Sequence, residues 1–285
     1  MTVVVTGATG HLGRLTVEAL LRRGVPAGEL VATGRDIAKL TDLAERGVDV
    51  RRADFDDPAT LPEAFAGAER LLLISGNEID QRPRQHANAI AAAKAAGVSL
   101  IAYTSIPHAD TSSMLLAVEH LATERELAAS GVPHVLLRNG WYLENYTEQL
   151  ETFLAHGIAG SAGTGKVSAA ARLDFAEAAA TVLTEDGHAG ATYELGGAAF
   201  TLPELAAAVS TATGKTVTYT DLPVEAYEQV LVAAGVPAPM ARILADSDRG
   251  LAQGELFVDG SDLEKLIGRQ PTTLAAALAG LTQES

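Results

Sequence analysis

The sequence contains no cysteine. That excludes disulfides, thiolate nucleophiles, iron–sulfur clusters and cysteine-ligated zinc. Basic residues are scarce: 21 Lys and Arg stand against 36 Asp and Glu, which leaves a formal charge of −15. So acidic a chain repels polyanions and anionic bilayers, so neither nucleic acid nor membrane is expected as a partner. Any anion it binds must be met by local chemistry. No apolar run approaches the ~18 residues of a membrane span. The opening Met1-Thr2-Val3-Val4-Val5 has no basic segment before its apolar one, so a signal peptide is not expected either. What the chain does have is apolar residues, 47% of 285, enough for a sizeable core. The expectation is an acidic α/β protein of the cytoplasm, a monomer or homodimer.

The first half alternates short apolar runs with helical patterns. Strands are predicted at Thr2–Thr6, Leu30–Thr33, Asp49–Ala53, Arg70–Ile74, Leu100–Thr104 and Val135–Arg138. Helices are predicted near 11–23, 36–46, 58–66, 82–96 and 113–130, with Asp57-Pro58 reading as an N-cap and first helical residue. Strand–helix alternation with apolar strands implies a parallel sheet covered on both faces: a Rossmann, doubly wound α/β fold. The second half is less regular. A helix is expected over Trp141–His156, and a mobile loop over Gly157–Gly165 with its four glycines. An Ala-rich helix capped by Asp174 should run to about Leu183. A strand at Ala191–Leu195, a helix at Leu202–Thr213, a strand at Thr216–Thr220 and then helix to Leu281 complete the reading. The division expected is a dinucleotide-binding core over 1–140 and a smaller C-terminal α/β substrate lobe over 141–285. Elements at about 166–198 return to the core.

Gly7-Ala8-Thr9-Gly10-His11-Leu12-Gly13 directly follows the first strand and opens the first helix. Gly7 suits the tight turn, Gly10 the approach of a pyrophosphate, and Gly13 close helix–strand packing; the helix N-terminus supplies free N–H groups and a positive dipole end. A dinucleotide can thus be bound without a basic protein. The spacing is GxxGxxG rather than GxGxxG. At the end of the second strand, where an NAD site places an acidic residue, stand Gly34 and Arg35, suited to a 2′-phosphate. NADPH is therefore favoured. Asp36, one step on, keeps weaker NADH use open or simply caps the next helix.

The acid–base machinery of many short-chain dehydrogenases is missing, because no tyrosine is followed four residues later by lysine. There is no GxSxG elbow, and the histidines lack metal-ligand spacing, so no metal is expected. Ser75 and Ser105 sit at strand C-terminal ends, where open α/β sheets bind ligands. Glu119, His120 and Glu124 read as a solvated helix face. Asn139-Gly140-Trp141-Tyr142, with the sole tryptophan, offers a flat wall for a planar ring. His108 and Tyr142 are the weak candidates for a catalytic acid.

Several segments together resemble the NmrA-like group of atypical short-chain dehydrogenases. They are Gly7–Gly13, Leu72-Leu73-Ile74-Ser75, Ile101-Ala102-Tyr103-Thr104-Ser105, His108-Ala109-Asp110-Thr111-Ser112 and Leu137-Arg138-Asn139-Gly140-Trp141-Tyr142. The likeness continues through Tyr193-Glu194-Leu195, Leu244-Ala245-Asp246-Ser247-Asp248 and Lys265-Leu266-Ile267-Gly268. It implies a reductase without flavin that passes hydride from NADPH to a quinone, the cofactor lying between core and lobe. Carried over by motif, the cofactor contacts would be Gly7, Thr9, Gly10, His11, Leu12, Gly13, Arg35, Ile74, Ser75, Gly76, Asn139, Gly140 and Trp141. Ser105, Trp141 and Tyr142 would line the substrate pocket. Related isoflavone-reductase-like enzymes carry a lysine where this chain has His120, so a lysine proton relay is not implied. Some relatives of this group bind NAD(P) without catalysis, so a dinucleotide sensor is the alternative; a reductase or isomerase of another small carbonyl compound is the third reading.

Overall fold

The computed structural model describes residues 1–283; residues 284 and 285, the end of the expected lobe, lie outside it. The chain begins with β1 (Val3–Val5), α1 (His11–Arg22), β2 (Leu30–Gly34), α2 (Thr41–Glu45), β3 (Asp49–Arg52) and α3 (Leu61–Ala64). It continues through β4 (Arg70–Leu73), α4 (Arg82–Ala95), β5 (Leu100–Ser105), α5 (Leu115–Ser130) and β6 (His134–Asn139). Then come α6 (Glu144–Thr147), α7 (Leu150–His156), β7 (Ile158–Gly160), β8 (Lys166–Val167), α8 (Arg172–Thr184) and β9 (Thr192–Leu195). The last elements are β10 (Phe200–Thr201), α9 (Leu202–Thr213), β11 (Tyr219–Asp221), α10 (Val224–Ala233), α11 (Ala238–Ala252), α12 (Asp262–Ile267) and α13 (Leu274–Gln283).

The main sheet has seven strands in the order β3-β2-β1-β4-β5-β6-β9, all parallel. Side-chain alternation explains why both faces are covered. Val3 and Val5 point into a cluster with Leu20 of α1 and Phe175 of α8, while Val4 points into one with Phe65, Ile90 of α4 and Leu127 of α5. A strand buried on both sides is apolar at every position. The strand order reverses between β1 and β4, so a crevice opens beyond their C-terminal ends, where such sheets bind ligands.

A second core cluster gathers Phe153, Val167, Phe200, Leu205 and Leu278 of the second half with Ile106, Ala109, Met114 and Ala117 of the first. Within residues 166–198, α8 packs on the main sheet and β9 joins it, whereas β8 pairs with β10. Leu263 of α12 also packs into the core beneath the sheet. The stretch 157–165 is not the mobile loop expected: β7 pairs in parallel with β11, and Ile158, Gly160, Ser161 and Ala162 are buried. Two of its glycines serve close packing: a Cβ on Gly165 would lie 2.2 Å from the Leu251 carbonyl oxygen, and one on Gly160 2.7 Å from Asp248 Oδ2.

Local details differ where tertiary partners outweigh local signals. Asp57 makes no side-chain cap; Pro58–Thr60 is a 3₁₀ turn ahead of α3. Trp141–His156 is broken into α6 and α7 rather than continuous. Asp174 sits inside α8 as its third residue, fully buried, and accepts from the Ala171 and Thr272 N–H groups and from Arg269. The N-terminus of α5 is closed from outside: Asp246 accepts from the Leu115 N–H (2.6 Å), and Glu255 from those of Ser113 (2.9 Å) and Met114 (3.2 Å). Among the described residues, no helix is long and apolar enough to cross a membrane.

Candidate active site

A cleft of about 960 Å³ runs from the turn after β1, past the ends of β4, β5 and β6, to α10 and α11 of the lobe. Every residue expected to contact the cofactor lies on its wall. Gly7 has φ +61°, which glycine adopts without strain. A Cβ on Gly13 would lie 2.4 Å from the Gly7 carbonyl oxygen, so helix and turn touch backbone to backbone. Helix α1 has no capping side chain and no acidic residue in its first turn. Its first N–H groups are left for an anion. These features fit a dinucleotide pyrophosphate.

At the adenosine end, a Cβ on Gly34 would fall 2.6 Å from Thr9 Cγ2, so the strand end must be bare. Asp36 is occupied: its carboxylate accepts from the Ala38 N–H and caps the 3₁₀ turn Ile37–Leu40. Arg35 is exposed and donates to Glu78 Oε1 at 2.6 Å. Glu78 also accepts from Gln85 at 2.9 Å. A carboxylate of the chain itself thus occupies the guanidinium that a 2′-phosphate would use.

Beyond β4, the N–H groups of Ile74, Ser75 and Gly76 donate to Thr6, Thr104 and His86. These residues therefore contribute shape to the wall, their donors being spent inside the protein. Beyond β6, Asn139 is buried and its Oδ1 has no protein partner. The residue borders the cleft, but this acceptor is closed off inside the protein. Gly140 is needed here too, because a Cβ would lie 2.5 Å from the Ser168 carbonyl oxygen.

The two acid candidates fare differently. His108 is absent from the cleft wall; its Nε2 lies 2.8 Å from the Phe257 carbonyl and its N–H donates to Glu194, so it ties the 106–114 loop to the lobe. The reading of His108 as a catalytic acid is corrected on that ground. Tyr142 is on the wall, edge-on to Phe175 with Arg172 over its ring at 5.2 Å. Burial raises its phenol pKa, only partly offset by Asn139, which makes it a poorer proton donor than free tyrosine. Ser105 also borders the cleft, but its hydroxyl is committed to Glu124 at 2.6 Å.

The solvated face expected for Glu119, His120 and Glu124 is overturned. Glu124 is buried and receives Arg138 through Nε (3.0 Å) and Nη2 (2.7 Å); the same guanidinium reaches Asp110 and Glu194. Glu119 accepts from Arg82 and from the Asp80 N–H, pinning the strap 76–81. His120 is buried and its Nδ1 lies 2.8 Å from the Tyr103 phenol oxygen. Burial pulls its pKa well below the usual imidazole range, with Arg82 and His86 adding to the effect, so the ring is neutral. It borders the cleft beside Ser105, the one imidazole that α5 gives to the site. An apolar α5 pattern hid this, since a buried polar face looks like a wet one until its partners on other elements are known.

A substrate lobe is expected from the sequence, but not which of its helix residues enter the cleft. Tyr146, Tyr227, Leu231, Met240, Ile243, Leu244 and Asp248 close the far end of the cleft. The spacing of Tyr227 with Leu231, and of Met240 with Ile243 and Leu244, is helical and was visible; where those faces point was not.

Comparisons with known proteins agree with this geometry. Quinone oxidoreductase 2 of Escherichia coli (strain K12) is 50% identical over 281 residues, covering 98% of each chain. The crystal structure of that Escherichia coli NADPH-dependent quinone oxidoreductase complexed with NADPH superposes with a TM-score of 0.95, covering 98% of this chain and 99% of that one. The triphenylmethane reductase of Citrobacter sp. complexed with NADP(H) is 39% identical with a TM-score of 0.92, over 98% and 99% of the two chains. The NmrA-like family model matches residues 1–277. With the glycine turn, the switch-point cleft and the closing lobe all in place, the chain belongs to the NmrA-like family.

Proposed function

We propose that this protein is an NADPH-dependent quinone reductase that uses no flavin. The observation that carries the reading is the cleft itself, with an anion cradle and Arg35 at one end and an aromatic, apolar chamber at the other. Its 50% identity to a quinone oxidoreductase across nearly the whole of both chains supports the same reaction. Gly7–Gly13 hold the pyrophosphate, Arg35 the 2′-phosphate, and Asn139, Gly140 and Trp141 the nicotinamide. When bound, NADPH supplies the hydride.

The chain's remaining task is placement: acceptor and nicotinamide ring must be held at reacting distance. Trp141 and Tyr142 form the wall beside the ring. His120, neutral and braced by Tyr103, offers the acceptor carbonyl an imidazole edge. A hydroquinone anion is stabilised by its own ring and takes its proton from water, so the lack of a strong acid in the cleft is tolerable. The reaction takes place in the cytoplasm on a small-molecule quinone, the protein being a monomer or homodimer. Steady-state oxidation of NADPH with a panel of benzoquinones and naphthoquinones, without added flavin, tests this reading. No turnover above background with any of them overturns it.

The cofactor end gives a further expected result. Arg35→Ala should weaken NADPH binding by roughly 10- to 100-fold, the loss of a charge-assisted phosphate contact, and NADH by less than about threefold. Glu78→Gln should act in the opposite sense and tighten NADPH by about two- to fivefold, because an exposed pair is worth little. Fluorescence titration of both cofactors with both variants checks this; an unchanged NADPH preference in Arg35→Ala means that the 2′-phosphate is read elsewhere.

A further inference from the structure

Asp248 lies at the lobe end of the cleft and is not needed by anything else described so far. One carboxylate oxygen, Oδ2, accepts from the Ser161 N–H at 2.8 Å. The strand beneath it is bare because it must be: a Cβ on Gly160 would fall 2.7 Å from that same oxygen. Among the described residues no lysine or arginine pairs with Asp248. The ionisable groups that face it are acidic or phenolic. Tyr219 and Asp221 come from β11, Tyr146 from α6 and Tyr227 from α10. Asp221 is already satisfied by the Tyr219 hydroxyl (2.6 Å) and the Gly163 N–H (2.8 Å).

The rest of this end is apolar, with Leu231, Met240, Ile243 and Leu244 on the wall. An unpaired carboxylate in such surroundings is costly. If its purpose were only to receive the Ser161 N–H, asparagine would do the same without the desolvation of a charge. Aromatic rings and a carboxylate together are the chemistry that recognises an organic cation.

Resting on the reading of this chamber as the acceptor site, we propose that Asp248 is the counter-ion for positively charged planar acceptors, so that the cleft reduces quinone-imine cations as well as neutral quinones. Hydride alone balances that reaction. One C–H bond of the reduced nicotinamide breaks, one N–H bond forms at the acceptor's ring nitrogen, and the acceptor's positive charge passes to the nicotinamide ring. No proton is consumed, so such an acceptor suits a cleft that offers no strong acid.

The test is equilibrium binding of methylene blue, a phenothiazinium quinone-imine cation, to protein loaded with NADP⁺, which cannot reduce it. The dye's absorbance shift reports binding. Asp248→Asn keeps an acceptor for Ser161 and changes a net charge of −15 by one, so non-specific attraction of the dye is nearly constant. The variant should bind the dye about tenfold more weakly, the loss of one half-buried charge partner. The thermal midpoint shows whether the variant is folded.

Burial lifts the Asp248 carboxyl to about 6, with Asp221 adding to the rise and the Ser161 N–H opposing it. The dye should therefore bind more tightly as pH rises from about 5 to 7 and the carboxylate ionises, and the variant should lack this step. This titration of the unaltered protein stands even if Asp248→Asn fails to fold. Equal dye affinity in protein and variant, or a flat pH profile in the unaltered protein, overturns the proposal. Absence of turnover of neutral quinones overturns the reductase reading instead, and leaves the binding result to decide Asp248.

Discussion

Gly13→Ala is expected to weaken NADPH binding by more than about 100-fold, a loss near the ~2.7 kcal/mol that such a factor represents. The added Cβ would meet Gly7 O at 2.4 Å, Gly7 C at 2.7 Å and Ala8 Cα at 2.8 Å. All three are backbone atoms, so no side chain can swing aside; either α1 moves away from β1 or the turn opens. Both changes displace the N–H groups of the helix start from the anion they are meant to hold. Overpacking of this kind also costs about 1–3 kcal/mol of stability. Gly28→Ala is the matched control, because a Cβ there meets nothing within 4 Å. NADPH fluorescence titration and thermal unfolding of the two variants check the result. An NADPH affinity in Gly13→Ala equal to that of Gly28→Ala would mean that the turn is not the pyrophosphate cradle.

Glu124→Ala carries the largest expected loss of stability, about 3–5 kcal/mol, because it strands a buried guanidinium. Arg138 has a side chain only 9% exposed, and Glu124 alone accepts from two of its three nitrogens, Nε and Nη2. Burial alone would lower its pKa, but the bonds from Glu124 and Glu194 more than offset this and keep it charged. Asp110 and Glu194 remain as partners through a single nitrogen, so the lower half of that range is the better expectation. Removing both charges with Glu124→Leu and Arg138→Met should recover much of the loss. Denaturant unfolding of the single and double variants measures the coupling. A loss below about 1 kcal/mol for Glu124→Ala would show that the network does not hold the end of β6.

How far the sequence reaches follows from where each signal is stored. The glycine turn was legible because its requirements are local: a positive φ at Gly7 and a missing side chain at Gly13 are met within seven residues. The parallel sheet was legible for a similar reason, since strands such as Leu71-Leu72-Leu73 are apolar at consecutive positions and can only be covered on both faces. Gly34 and Arg35 could be read because the cofactor approaches a known strand end. What could not be read depends on partners distant in the chain. His120 and Glu124 look like solvent-facing residues until Tyr103 and Arg138 are brought beside them from β5 and β6. Gly160 and Gly165 look like flexibility until Asp248 and Leu202 are seen pressed against the first and Leu251 against the second. His108 looked chemical in its segment, yet its partners lie 86 and 149 residues away and use it as a tie.

The outside closure of α5 has a consequence for how the molecule comes apart. Met114 provides no capping side chain, and the carboxylates that replace it, Asp246 and Glu255, are synthesised more than 130 residues later. The helix that carries His120 and Glu124 therefore has no finished beginning until α11 has docked. This closure is one of several ties between the two halves, with the His108–Phe257 contact and Leu263 packed in the core cluster. The two halves should melt in a single cooperative step, with Trp141 fluorescence and backbone circular dichroism tracing the same curve. Binding a cofactor to one wall then steadies the other by mass action, with no change of shape required.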